Sequence, residues 1–190
     1  MINKIAVKLL LSILVTIAVS GCTKYQEVAD AEYPEEKVYM PASVKGIYDI
    51  SVIVNPLQIP TSDSAYRYVV DRLNNKLVIP LGVVRSGITK SGEVSVTLSA
   101  AEDTVRSLVS GGDLTDADLL PAGNYTFPEK VLIPGNQDFV TFNVLVDLPY
   151  VVANADKKLA FAITIREANR QINDEFKTTI VLIDPSKLKL

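Results

Sequence analysis

The chain has 190 residues with 22 acidic and 19 basic side chains, a formal charge of −3, one cysteine, no histidine and no tryptophan. Without histidine no Ser-His-Asp or Cys-His site can be assembled, and one cysteine builds neither a thiolate zinc centre nor an internal disulfide. A slightly acidic chain has no basic footprint for nucleic acid, so the chemistry left is that of carboxylates, hydroxyls, lysine and tyrosine.

Lys4 and Lys8 mark a basic start, Leu9 to Val19 run apolar, and Ser20-Gly21-Cys22 follow. That order describes an export signal, and the apolar run is roughly half of the ~20 residues a spanning helix needs. Residues 1–21 are therefore predicted to be a signal peptide that is removed. Val19-Ser20-Gly21-Cys22 resembles the bacterial lipobox, which implies cleavage before Cys22 and lipidation of that cysteine. As the only cysteine, Cys22 would otherwise leave an exported protein with an unpaired thiol. Acyl chains contribute about 0.8 kcal/mol per buried methylene, so several of them make a durable anchor. The expected location is the outer membrane, with the domain held by lipid on the cell surface or the periplasmic face.

Residues 22–37 read as an acidic tether, carrying Glu27, Asp30, Glu32, Glu35 and Glu36 among few large aliphatics. Such a segment buries too little surface to offset its ordering entropy. Its acids also resemble the surface-export signals of Bacteroidetes lipoproteins; a plain solvated linker is the other reading.

From Val38 to the end at residue 190 the pattern is period-two alternation, which predicts half-buried strands in one domain. A short strand at Val38 to Met40 comes first. Tyr48, Ile50, Val52 and Val54 then alternate, and Tyr66 to Val70 is a weaker strand before an Asn74-Asn75 turn. Leu77, Ile79, Leu81 and Val83 alternate across Pro80, and since proline donates nothing to a ladder, that strand is predicted at a sheet edge. Val94, Val96 and Leu98 lead into Ser99-Ala100-Ala101-Glu102, whose spacing is that of a capping box. A short helix is predicted over Ala100 to Ser110, with Val105, Leu108 and Val109 on one face and Gly111-Gly112 as its stop. Val131 to Ile133, a Pro134-Gly135-Asn136 turn, Val140 to Val146, Leu159 to Ile165 and Phe176 to Ile183 complete the chain. Many short strands without strand–helix alternation predict an all-β, antiparallel sandwich with one short helix between strands.

In this order the features resemble the N-terminal immunoglobulin-like β-sandwich domain of Bacteroidetes surface lipoproteins linked to glycan utilisation, formerly a domain of unknown function. The residues that carry the resemblance are Val38-Tyr39-Met40, Gly92 to Leu98 feeding the helix, and Leu120-Pro121-Ala122-Gly123-Asn124-Tyr125. Val131-Leu132-Ile133-Pro134-Gly135, the two long alternating strands after it and Ile172-Asn173 complete the match. The resemblance implies an immunoglobulin-like module that usually precedes a glycoside hydrolase or a lectin-like sandwich. Only seven residues follow Ile183, so a downstream catalytic module is not expected here. The partners implied are the membrane, through lipid, and polysaccharide or an outer-membrane glycan-uptake complex.

Candidate sites are few, and no cofactor or resident metal is expected. Tyr66 and Tyr68 fall on one side of a strand and offer aromatic faces for stacking a sugar, or else support the sheet as a cross-strand pair. Asp113, Asp116 and Asp118 beside Gly111-Gly112 could hold calcium or cap a turn. The pairs Glu102-Asp103 and Asp174-Glu175 could be imagined as glycosidase acids, although adjacent acids at helix ends and turns usually face solvent. The function expected is a non-catalytic, lipid-anchored binding or scaffold module. The alternative is a structural adhesin or fimbria-like subunit that assembles by strand exchange and needs a removable first strand.

Overall fold

The computed structural model describes residues 35–51, 67–88 and 90–190, and Glu35–Leu190 form one compact unit. The described strands are β1 (Lys37–Tyr39), β2 (Ile47–Asp49), β3 (Val69–Asp71), β4 (Lys76–Arg85), β5 (Val94–Ala100), β6 (Ala117–Leu119), β7 (Tyr125–Thr126), β8 (Lys130–Ile133), β9 (Phe139–Asp147), β10 (Lys158–Ala168), β11 (Gln171–Ile172) and β12 (Thr178–Ile183). Two helices join them, α1 (Glu102–Gly111) and α2 (Leu148–Ala153). The expected strand beyond Ser51, through Val52 and Val54, lies outside the described residues.

The strands make two sheets, ordered β11-β1-β4-β9-β7 with β3 also on β4, and β2-β12-β10-β5-β8 with β6 also on β10. Alternation delivers one apolar face from each. Val38, Leu77, Ile79, Val83, Val144 and Val146 come from the first sheet; Val96, Leu98, Phe161, Ile163, Val181 and Ile183 come from the second, in one buried cluster. Removal of that area from water is the main stabilising term, at about 25 cal/mol per Å² of apolar surface. The fold is a mostly antiparallel, two-sheet all-β domain. Three short ladders depart from the antiparallel expectation: β1 on β11, β6 on β10 and β2 on β12 are parallel.

The strand across Pro80 is not at an edge. β4 pairs with β9 from Lys76↔Asp147 to Val84↔Phe139 on one side, while β3 covers its beginning and β1 its end on the other. Pro80 falls in the gap between β3 and β1, where no described strand pairs with it on that side. A proline is therefore tolerated in a central strand because its second neighbour is split in two.

β10 is buried on both faces. Phe161 and Ile163 face the inter-sheet core, and Ala160 and Ala162 lie on the outer face under α1, packed with Val105, Leu114 and Ala117. Small side chains at these two positions make room for the helix. The helix starts at Glu102, after Ala101 as N-cap, and no side chain caps it. Ser99 remains in β5, so the expected capping box does not form. Val105 is buried, but Val109 is exposed, which narrows the predicted apolar face. The expected stop is present: Gly112 takes φ 84°, and the N–H groups of Gly112 and Asp113 donate to the carbonyls of Val109 and Leu108 in a Schellman closure.

The predicted turns form where the sequence places them. Asn75 and Asn136 both take positive φ, a conformation that asparagine tolerates better than most residues. Asp71 supports the first turn by accepting from the backbone and side-chain N–H groups of Asn74.

Candidate functional site

The residues singled out in the sequence are not brought together. Cys22 and Tyr66 lie outside the described residues. Tyr68 immediately precedes β3, is 4 % exposed and belongs to the inter-sheet core, so its ring is enclosed by protein. Its hydroxyl accepts a 2.9 Å hydrogen bond from the Lys189 N–H, while Leu188 and Leu190 pack against the same core. The side chain thus ties the C-terminal tail to the sandwich.

Tyr48 on β2 is half-buried, and the Arg67 guanidinium sits 4.8 Å from its ring centroid. Arg67 also donates to the Asp49 carbonyl, which holds the cation over the ring. Burial raises the pKa of the Tyr48 hydroxyl, and Arg67 partly opposes that shift. Tyr125 on β7 stacks on Phe161, with centroids 4.8 Å apart, and on Phe127. Its hydroxyl is buried without a hydrogen-bond partner, and burial together with the Glu102 carboxylate pushes its pKa up.

Three of the candidate acids are matched to cations, each at a different place. Glu102 pairs with Arg106 and accepts from the Ala122 N–H; Asp174 pairs with Lys177 and Asp118 with Lys157. Among the described residues no three acidic side chains are grouped closely enough to hold a metal ion. The carboxyls whose acidity is moved, Asp71, Asp174 and Asp184, all shift below the usual range. Hydrogen bonds are the main cause, from Asn74, Lys177, and Lys187 with Ser186 respectively.

One polar cluster was missed from the sequence. Arg85 ends β4 on its inward face, is 3 % exposed, and donates to the Gly92 carbonyl at 3.0 Å. Its Nη1 lies 3.4 Å from a Glu36 oxygen, and the other Glu36 oxygen lies 3.5 Å from Arg170 Nε. Arg170 in turn donates to the Ser91 and Asn169 carbonyls. These contacts join three connections at one end of the sandwich: the entry into β1, the β4–β5 link and the β10–β11 corner. The signal was available, because period two from Leu77 through Val83 lands next on Arg85.

Among the described residues no helix is long and apolar enough to cross a membrane. No protein-family profile and no curated protein matches the chain. Solved structures do. A "putative carbohydrate binding protein" from Bacteroides ovatus aligns with TM-score 0.53 at 14% identity, over 77% of this chain and 36% of its own. An "auxiliary nutrient binding protein" from Bacteroides thetaiotaomicron aligns with TM-score 0.51 at 14% identity, over 75% and 46%. A Bacteroides ovatus protein of unknown function aligns with TM-score 0.51 at 13% identity, over 80% and 52%. The alignments thus span between about a third and a half of those chains. At these identities the likeness concerns the fold, and the two-sheet fold of this chain is similar to part of each of these Bacteroides proteins.

Proposed function

We propose that the chain is a non-catalytic binding or scaffold module for carbohydrate capture, of the immunoglobulin-like sandwich type and anchored to the outer membrane through lipid on Cys22. The observation that carries this reading is the fold shared with proteins named for carbohydrate and nutrient binding. The lipobox-like Val19-Ser20-Gly21-Cys22 supplies the anchor.

A glycan array and affinity electrophoresis test the binding. Retention of a polysaccharide without release of reducing sugar is the expected result; release that follows the purified protein would overturn the non-catalytic reading. Carbonate-washed membranes test the anchor: Cys22→Ala is expected to leave the membrane fraction, and full retention of the variant would refute lipidation.

The strand-exchange alternative meets an obstacle in β1. That strand lies between β11 and β4, Val38 and Met40 are fully buried, and withdrawing the segment with Glu36 would leave the Arg85 cation without its carboxylate.

A further inference from the structure

In the first sheet the short β7 covers only one end of β9 and leaves the rest of that edge open. The Arg85 N–H donates to the Asp138 carbonyl and the Leu148 N–H to the Asn75 carbonyl, so in the β4–β9 register the even-numbered residues of β9 bond to β4. The odd-numbered residues point their backbone groups away. On that far side β7 engages only Val146 and Leu145. By Glu129 the chain has left β9 for the other sheet, where the Glu129 carbonyl accepts from the Leu98 N–H of β5. The outward N–H and C=O groups of Phe139, Thr141 and Asn143 consequently have no ladder partner in any described strand. The side chains of these three residues are exposed as well, Phe139 at 54 %.

Exposed edges are normally guarded by charge, proline or a bulge. β8, the outer strand of the other sheet, carries Lys130 after Glu129. β9 has no charged residue, proline or glycine between Phe139 and Val146, and its pairing with β4 shows no shift of register. An unguarded edge of this kind adds a strand readily.

We infer that β9 is a docking edge for a second copy of this chain, paired antiparallel about a twofold axis at Thr141. The edge fits itself. With Thr141 opposite Thr141 of the second copy, Phe139 faces Asn143 and Asn143 faces Phe139, so every outward-bonding residue meets another in phase, for about six new backbone hydrogen bonds. Around a twofold axis a central charge meets its own copy; here the central residue is a neutral threonine, and threonine pairs are favourable across strands. The open stretch is bounded by the β8–β9 turn at one end and β7 at the other. In this register it is matched by the same stretch of the second copy, with Asp138 opposite Val144 rather than another acid. This contact is independent of the carbohydrate reading.

The test is sedimentation velocity of the full chain in detergent, with micelles in large excess over protein, across micromolar to millimolar concentrations. A monomer–dimer equilibrium is expected, with amide exchange at Phe139, Thr141 and Asn143 slowing as dimer forms. Thr141→Lys, which sets two ammonium groups at the axis on an exposed face, is expected to weaken dimerisation at least tenfold with an unchanged circular dichroism spectrum. Phe139→Lys with Asn143→Lys should do the same, whereas Phe139→Glu with Asn143→Lys sets opposite charges in register and should retain the dimer. A monomer at every concentration would overturn the inference. So would a dimer indifferent to Thr141→Lys, or one in which both double variants behave alike.

Discussion

The Glu36 carboxylate bridges two arginines, with one oxygen 3.4 Å from Arg85 Nη1 and the other 3.5 Å from Arg170 Nε. Arg85 is enclosed by protein, and its Nε and Nη2 have no hydrogen-bond partner, so Glu36 is the acid that balances a buried cation. Removing one member of such a pair leaves an uncompensated charge, while exchanging both for apolar groups is often neutral. Glu36→Ala is expected to lower unfolding free energy by about 3 kcal/mol. Glu36→Leu with Arg85→Met should recover most of that loss, and urea unfolding of the three proteins measures both values.

Thr179 faces the inter-sheet core from β12, fully buried, with a hydroxyl that has no hydrogen-bond partner. A buried unsatisfied hydroxyl carries its desolvation cost uncompensated. Thr179→Val is therefore expected to stabilise the domain by about 1 kcal/mol, read as a higher midpoint of denaturation at constant m-value. A lower midpoint would contradict this account of the site.

Tyr68 separates a packing role from a hydrogen-bonding one. Tyr68→Phe keeps the buried ring and loses the bond from the Lys189 N–H, a change of about 1 kcal/mol. Tyr68→Ala removes the ring from the core and should cost about 3 kcal/mol or more. Thermal denaturation of the two variants should rank them in that order. Any glycan-binding assay that uses Tyr68→Ala needs this comparison, because lost binding would otherwise report lost fold.

Acid should weaken the domain through Asp184. Its carboxylate accepts from Ser186 and pairs with Lys187 at 2.8 Å, and these hydrogen bonds hold its pKa below the usual range. A carboxyl that is more acidic when folded stabilises the fold fully above its unfolded pKa, about 4. That contribution disappears as pH falls through the lower folded value. Unfolding free energy is expected to drop below about pH 4, and Asp184→Asn should flatten that part of the profile.

The long strands were legible because alternation over seven or more residues survives local noise, as in β4, β5, β9 and β10. β6, β7 and β11 are two or three residues long, too short for a period to register; they form because neighbouring strands offer free ladder groups. α2 was missed because Leu148-Pro149 after a strand reads as a break, although proline suits the first helical turn. Pro80 was misplaced because sequence shows that a donor is missing but not that the neighbouring strand is split. Tyr68 shows the same limit for the site, since alternation assigns a residue to a face without saying which face is inside. Arg85 was overlooked for its charge, although its place in the period marked it as inward-facing.

The Glu36 bridge lies where a tether would enter the domain, and this gives it a mechanical meaning. If the chain is anchored at Cys22 as proposed, tension along the backbone reaches Glu36 before any described strand, and then β1, which has only two register positions on each neighbour. Pulled along its axis, so short a strand loads its ladder bonds together, in shear; pulled sideways, it opens them one at a time. The contacts of Glu36 with Arg85 and Arg170 fasten the strand at its leading end, where peeling would begin. Under load, the rupture force of the domain should follow this one carboxylate more closely than it follows the size of the core behind it.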